Sequence, residues 1–517
     1  MSDMGKFLDS LQDALSEPSN VSVTENGAVG YRTTGKALLD LNFAVSSLRN
    51  VSEEEIINRF VKAFYEDKRL AVKWLFFASD VRQGMGERRL FRVVFQYLAE
   101  SHPEIVKAVF SLVPEYNRWD NLWGLLDTGL AGAVADLVRE QLAKDIQNMK
   151  EQKPVSLLAK WLPSINASSE ETRRRAKQLA NALGMSNAEY RRTLAGMRDY
   201  LKVVETRISR GAWEEVCYEQ VPSRANLLYR NAFLKHDTER RQEYLESLQK
   251  GETKIHSGVL FPSDVVHGYY KPLSYWRSRL SGETDATLEE LWKALPDYVQ
   301  GASNTICVVD GSGSMQRRIA GTELSCQEVA NALGIYFSER CSGKLNGKYI
   351  TFSQTPQFVT LKNAATLREK LEIASAYNEV ANTNIEAVFG LLLQTAIIGK
   401  LKQEELPETV LVLSDMEFDD CACDSDGNPF QSGRLLETIA EKFRKWGYKL
   451  PRLVFWNIAG RTGTIPVQEN ELGVALVSGF SPVIMKMVLS RQTDPYECLL
   501  EQLNGERYEA VEAALAG

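Results

Sequence analysis

From about residue 36 to 295 apolar residues recur at helical spacing, in stretches of roughly 12–16 residues separated by Gly, Pro or Asn. Ser52-x-x-Glu55, Ser168-x-x-Glu171 and Ser186-x-x-Glu189 open three of these stretches. A serine hydroxyl there accepts from a first-turn N–H that has no partner within the helix. The short breaks predict antiparallel helix pairs. No period of roughly 30–50 residues repeats strictly, so the expected form is an irregular HEAT-like array.

After Gly301 the pattern changes. Apolar, β-branched runs at 305–310, 348–353, 356–361, 409–414, 452–457 and 473–478 predict strands, and amphipathic segments at 322–340, 384–399, 433–446 and 481–490 predict helices between them. Strands apolar on both faces and joined by crossover helices imply a mostly parallel sheet covered on both sides. The 348–361 pair reads as a hairpin holding an edge strand, and a last helix at about 495–515 as packing back on the body. The predicted class is α + α/β: an all-helical HEAT-like array over 1–295, a Rossmann-like domain over 296–492 and a C-terminal helix over 493–517.

Composition narrows the function classes. No apolar run approaches the roughly 18 residues that span a bilayer, so the chain is not expected to cross a membrane. Phe7, Leu8, Leu11 and Leu15 share one helical face with acids between them, which predicts a docking helix rather than a signal peptide. Seven scattered cysteines, an odd count, point to reduced thiols in the cytoplasm. Cys421 and Cys423 have no second Cys or His pair nearby, so they do not read as a zinc site. The net charge of −7 conceals a basic sector: residues 171–250 hold 16 Lys and Arg against 11 Asp and Glu.

The stretch Ile306–Met315, ICVVDGSGSM, runs an apolar strand into an acid and alternating hydroxyls. A haloacid-type phosphatase needs a second Asp where this chain has Ser312, and a nucleophile elbow needs Gly two residues before and two residues after its Ser, which neither Ser312 nor Ser314 has. Neither fits. A divalent-metal site does, because Asp310, Ser312 and Ser314 on one loop offer hard oxygen donors of low charge, suited to Mg²⁺ or Mn²⁺. Thr383, just before a helix, and Asp415, ending another strand, supply partners from other loops. Gly30–Ala37 has the Gly-x4-Gly-Lys of a phosphate loop but Ala37 where a hydroxyl should follow, and Asp424–Asn428 lacks the distal Glu of a calcium loop; both read as turns. Arg82, Arg88, Arg89, Arg173, Arg174, Arg175, Arg191, Arg192, Arg224, Arg230 and Lys235 are candidates for a cationic RNA-binding face, with Tyr190, Tyr229 and Trp276 for stacking. Solvated helix faces with intrahelical Glu–Arg pairs are the other reading of the same positions.

Asp310, Ser312, Ser314, Thr383 and Asp415 together resemble the metal-ion-dependent adhesion site (MIDAS) of von Willebrand factor A (vWA) domains. The resemblance implies that the three hydroxyls ligate the metal and the two Asp side chains hold its waters, leaving it open to an acidic residue from a protein partner. One departure is Ser414-Asp415-Met416-Glu417 where many vWA domains have Thr-Asp-Gly, with Asp419 and Asp420 adding negative charge. A helical array followed by a vWA domain is similar to the Ro autoantigen (TROVE) proteins, which implies a small noncoding RNA as partner. The segments LLDLNFAVSSLR, GMGERRLFRVVF, YNRWDNLWGLL, VVDGSGSM and VLVLSDMEFD resemble a domain-of-unknown-function group of bacteria, phages, plants and fungi. The expectation is a non-enzymatic ribonucleoprotein scaffold, with a metal-dependent protein-interaction module without RNA as the alternative. All four histidines lie outside the vWA region, so no Cys–His or Ser–His pair is expected near the metal.

Overall fold

The computed structural model describes residues 21–23, 29–274, 277–299, 304–377, 384–416, 435–459, 465, 474–489 and 494–516. The expectations for Phe7–Leu15, Trp276, Thr383, Glu417, Asp419, Asp420, Cys421, Cys423 and Asp424–Asn428 concern residues outside that set. Among the described residues no helix is long and apolar enough to cross a membrane.

The N-terminal region is helical, and its starts are set by the expected hydroxyls with one shift. Ser52 accepts from Glu55 N and Ser186 from Glu189 N, but Ser169 rather than Ser168 caps Glu170–Ala182, accepting from Thr172 N. With two serines in tandem, the sequence does not say which one turns the chain. One short antiparallel pair, β1 (Val21–Val23) with β2 (Val29–Tyr31), precedes the described helices, and another, β3 (Tyr270–Ser274) with β4 (Arg277–Leu280), lies near the end of the helical region. The five-residue β3 carries Pro272, too short and broken a run to register as a period of two.

The second region is built on six strands: β5 (Thr305–Asp310), β6 (Lys348–Phe352), β7 (Gln357–Thr360), β8 (Thr409–Ser414), β9 (Arg452–Asn457) and β10 (Val474–Ser478). Their spatial order is β7-β6-β5-β8-β9-β10, all parallel except β7, which closes the β6 hairpin at one edge. This is the doubly wound order in which the chain leaves β5 first to one side and later to the other. Cys307 and Val309 face one apolar cluster, Ile306 and Val308 the other, which is why β5 reads as apolar throughout. The helix Cys326–Arg340 is buried along nearly its whole length between the sheet and the helical region. It lies so close to β5 that a Cβ at Gly334 would fall 2.6 Å from Val309 Cγ2.

Both ends of the helical region are fastened to the sheet domain. At the first end Ser46 Oγ lies 2.7 Å from Ser478 Oγ, Asn457 Nδ2 donates to Phe43 O (3.1 Å), and the Arg49 guanidinium stacks 3.6 Å above the Phe480 ring. At the other, His267 Nδ1 meets Glu328 Oε2 (2.7 Å), Glu289 accepts from Leu367 N and Arg368 N (2.8 and 3.1 Å), and Trp292 Nε1 donates to Glu339 (2.8 Å). The helical arc is thus closed by the sheet domain. The C-terminal segment forms two helices, Pro495–Leu503 and Glu509–Ala516, packed on Lys68–Ser79. There the buried Lys73 ammonium donates to Glu512 (2.6 Å) and Asn504 (3.0 Å), and Arg507 Nε to Asp80 (2.8 Å).

Candidate functional site

The order of the strands creates one crevice, between the carboxyl ends of β5 and β8, where the chain's direction of winding reverses. Asp310 ends β5 and Ser414 ends β8, so Asp310 and Asp415 arrive there from adjacent strands, both 0% exposed. The Asp310 carboxylate accepts from Ser312 N (2.9 Å) and from Ser414 Oγ (2.6 Å), which fixes its orientation. Ser312 Oγ and Ser314 Oγ lie 3.1 Å apart, and Ser314 is only half-buried, so the hydroxyl pair forms the accessible side.

Electrostatically the crevice suits a cation. Complete burial, and next the Asp415 charge, push the Asp310 carboxyl up to about 7, against the hydrogen bonds from Ser414 and Ser312 that favour its ionised form. Arg317 brings the Nη2 end of its guanidinium 3.9 Å from Asp415 Oδ2, but that nitrogen is committed to Ala459 O at 2.8 Å. Among the described residues no group of three or more His, Cys, Asp or Glu could hold a metal. The donor set here is of another kind, two carboxylates and two hydroxyls, which fits a hard, oxygen-seeking divalent ion. The structure therefore brings together Asp310, Ser312, Ser314 and Asp415. Asn384, which follows Thr383, donates its N–H to Ser353 O (3.0 Å), just beyond the end of β6.

Two residues at this site carry no sequence signal, Gln327 and Arg317, and Ser414, noted from sequence only as a departure from Thr-Asp-Gly, proves to hold Asp310. Gln327 Nε2 donates to Asp310 O at 3.2 Å. The residue after Asp415 is also informative: Met416 has φ of 64°, the left-handed region where a Gly is the low-cost choice, yet its side chain is buried in the second apolar cluster. The Met that departs from Thr-Asp-Gly keeps that turn and adds core.

The second feature is a cavity of 2010 Å³ enclosed by the helical arc and the sheet domain. Its wall carries Arg49, Arg82, Arg88, Arg89, Arg118, Lys160, Arg198, Arg210, Arg224 and Arg230, against Glu87, Glu115, Glu205, Asp264 and Glu323. A small-molecule site runs to roughly 300–1,000 Å³, so this space is larger than one compact ligand needs. Leu157, Leu228 and Val259 also line it, 51%, 67% and 40% exposed, giving apolar surface between the cations. The loop Gly321–Leu324, downstream of the Asp310 motif, forms part of the same wall.

The sequence-predicted cations divide by location. Arg82, Arg88, Arg89, Arg224 and Arg230 line the cavity; Arg173, Arg174, Arg175, Arg191, Arg192 and Lys235 do not. Arg173 caps carbonyls of its own helix start, Ala167 O and Ser168 O, and Arg174 forms a paired network with Asp127 and Glu171. These two follow the solvated-face reading. Tyr190 is fully buried with its hydroxyl on Pro163 O and cannot stack on a base, and Tyr229 packs edge-on against Phe233. The Gly30–Ala37 segment runs from the end of β2 through a turn into the helix Ala37–Ala44, with Thr34 held by Asp40 (2.7 Å) rather than presented to a ligand.

The family model described as "Domain of unknown function (DUF2828)" matches residues 24–114 and 129–304, and that described as "Domain of unknown function (DUF7788)" matches residues 304–513. The chain is 28% identical over 526 residues to "Uncharacterized protein L728" of Acanthamoeba polyphaga mimivirus, covering 94% of this chain and 87% of that relative. Its structure is similar to the crystal structure of the Deinococcus radiodurans Ro (RSR) protein, with 17% identity, a TM-score of 0.42, and coverage of 85% of this chain and 92% of that one.

Proposed function

The chain belongs to the family described as a domain of unknown function (DUF2828), a description that assigns no activity, and from its chemistry we propose that it is a non-enzymatic RNA-binding scaffold. The observation that carries this reading is the cavity wall, which gathers ten Arg and Lys against five acids in a chain whose net charge is −7. Cations of that density serve phosphates, and the exposed Leu157, Leu228 and Val259 between them offer contact to bases. A single-stranded segment of a small noncoding RNA fits both.

The crevice at Asp310, Ser312, Ser314 and Asp415 is the second half of the proposal. With Thr383 these residues would hold Mg²⁺ or Mn²⁺ in the manner of a vWA domain. When bound, the ion supplies an electrophilic position for an acidic residue of a protein partner. The hydroxyl-rich donor set supports this reading, and it also keeps open a scaffold that works through protein partners alone.

Binding of a fluorescent single-stranded RNA, titrated against salt, tests the cavity. Replacing Arg82 and Arg230 with Glu should weaken binding by well over tenfold and flatten the salt slope by roughly 0.7 per lost phosphate contact. Arg191→Glu with Arg192→Glu, outside the cavity, should leave it nearly unchanged. Equal loss from both pairs, or no binding by the wild type at modest salt, would sink the reading. For the ion, Asp310→Ala with Ser312→Ala should abolish the calorimetric signal for Mg²⁺ and Mn²⁺.

A further inference from the structure

Arg88 differs from the other cations of the cavity. Arg118 is held by Asp120 (Nε to Oδ1, 2.9 Å) and lies 4.1 Å above the Trp161 ring; Arg224 is held by Asp264 at 2.5 Å. Among the described residues no carboxylate or carbonyl accepts a hydrogen bond from Arg88, although it is half-buried on the cavity wall; its charge is felt together with those of Arg118 and Arg224, which Asp120 offsets in part. A guanidinium is a fork of five donors, and leaving it undersatisfied beside like charges is costly unless an anion arrives.

Local structure prepares the place. Arg88 opens the helix Arg88–Ser101, so its neighbours in the first turn present N–H groups toward the same end. The preceding Glu87 would be the natural cap, but its carboxylate is taken by Arg49 (2.9 and 3.0 Å) and makes no capping bond. The tight turn before it is compulsory: a Cβ on Gly84 would sit 1.9 Å from Phe77 O, so only glycine lets the chain fold back and aim Arg88 into the cavity.

We propose that Arg88, flanked by Arg118 and Arg224, is a subsite for a phosphate group on the wall of the central cavity. The subsite lies within the cavity on which the RNA reading rests, and it deepens that reading by naming where one phosphate is held. Two carboxylates already bind Arg118 and Arg224, so these two orient and add field, while Arg88 supplies the free donors. The phosphate can come from an RNA terminus, from within the strand or from solution, and the arms of the test separate these sources.

The probes are inorganic phosphate, followed by calorimetry at constant ionic strength, and one RNA oligonucleotide made with a 5′-hydroxyl or a 5′-phosphate. Wild type and Arg88→Gln are compared. Arg88→Gln removes no acceptor pairing in the protein, so its melting temperature should stay the same or rise, which separates lost binding from lost folding. The expected result is saturable phosphate binding that falls roughly tenfold or more in Arg88→Gln, with Arg88→Lys intermediate because it keeps the charge but loses the fork. A 5′-phosphate preference abolished by Arg88→Gln assigns the source to the terminus; equal weakening of both oligonucleotides assigns it to an internal phosphate. Phosphate that binds in an Arg88-dependent way while RNA does not bind at all keeps the subsite and ends the RNA reading. RNA binding indifferent to Arg88→Gln, with no phosphate saturation, overturns the subsite and leaves the RNA reading standing. If neither probe binds, both fall.

Discussion

Gly334 offers a test of how tightly the strand that ends in Asp310 is held. A Cβ there would lie 2.6 Å from Val309 Cγ2, whereas carbon atoms pack at about 3.5–4.0 Å. Val309 is buried and β-branched, so its methyl cannot rotate aside and the helix and strand must part by roughly 1 Å. Overpacking of that kind costs about 1–3 kcal/mol, and the better helix propensity of Ala returns about 1 kcal/mol. Gly334→Ala should therefore destabilise by about 1 kcal/mol, although the same exchange in most helices stabilises. In a Val309→Ala background the obstructing methyl is gone, and Gly334→Ala should then stabilise by about 1 kcal/mol, a coupling of about 2 kcal/mol. Urea unfolding of the four proteins, followed by tryptophan fluorescence, reads the cycle. Mg²⁺ calorimetry adds a functional arm, because a displaced Val309 carries Asp310 with it; affinity should fall in Gly334→Ala and recover in the double variant. An effect of the same sign in both backgrounds would show that helix and strand do not meet through this methyl, and the reasoning would fail.

Three further outcomes are expected. The hydrogen bond that the His267 imidazole donates to the Glu328 carboxylate raises its pKa above the ordinary value despite opposing burial, so the contact stabilises fully below about 6.5 and is lost as pH rises through the raised folded value; the melting temperature of wild type relative to His267→Gln should decline across that window, and a flat difference would contradict the pairing. Arg317→Ala removes a cation 3.9 Å from Asp415 and should tighten Mg²⁺ several-fold by calorimetry, with weaker binding counting against Arg317 as a competing charge. Met416→Gly relieves a left-handed backbone worth about 1–2 kcal/mol but empties a buried site worth about 2–5 kcal/mol, so chemical denaturation should show a net loss; a gain would mean that the turn, not the core contact, governs that position.

The sheet was legible because burial on both faces leaves little room for polar residues: β5, β8 and β9 begin and end where their apolar runs do. The grouping of Asp310 with Asp415 was legible for a related reason, since the doubly wound order brings the ends of β5 and β8 together whatever lies between. The orientation of charge was not. Arg82 and Arg174 look alike in sequence, yet Arg82 lines the cavity and Arg174 is spent on Asp127, a residue from a distant segment. Gln327 and Arg317, and the bond that Ser414 makes, escaped notice because each acts through a neighbour supplied by the fold: Asp310 for Ser414 and Gln327, Ala459 for Arg317. Closure of the helical arc is a contact between Ser46 and Ser478, and no local pattern carries information over that separation.

That seam has a consequence for biosynthesis. Ser46 and Ser478 are 432 residues apart, and Phe43 belongs to an apolar cluster otherwise supplied by the sheet domain. At synthesis rates of about 5–20 residues per second, the N-terminal helices spend roughly 20–90 s outside the ribosome before their partner strand exists. During that interval Phe43 and Ser46 have no sheet partner, while the helices around them can already pack on one another. A chain cut short before β10 would keep the seam between His267 and Glu328 but lose Ser478 and Phe480 from the one at Ser46 and Arg49.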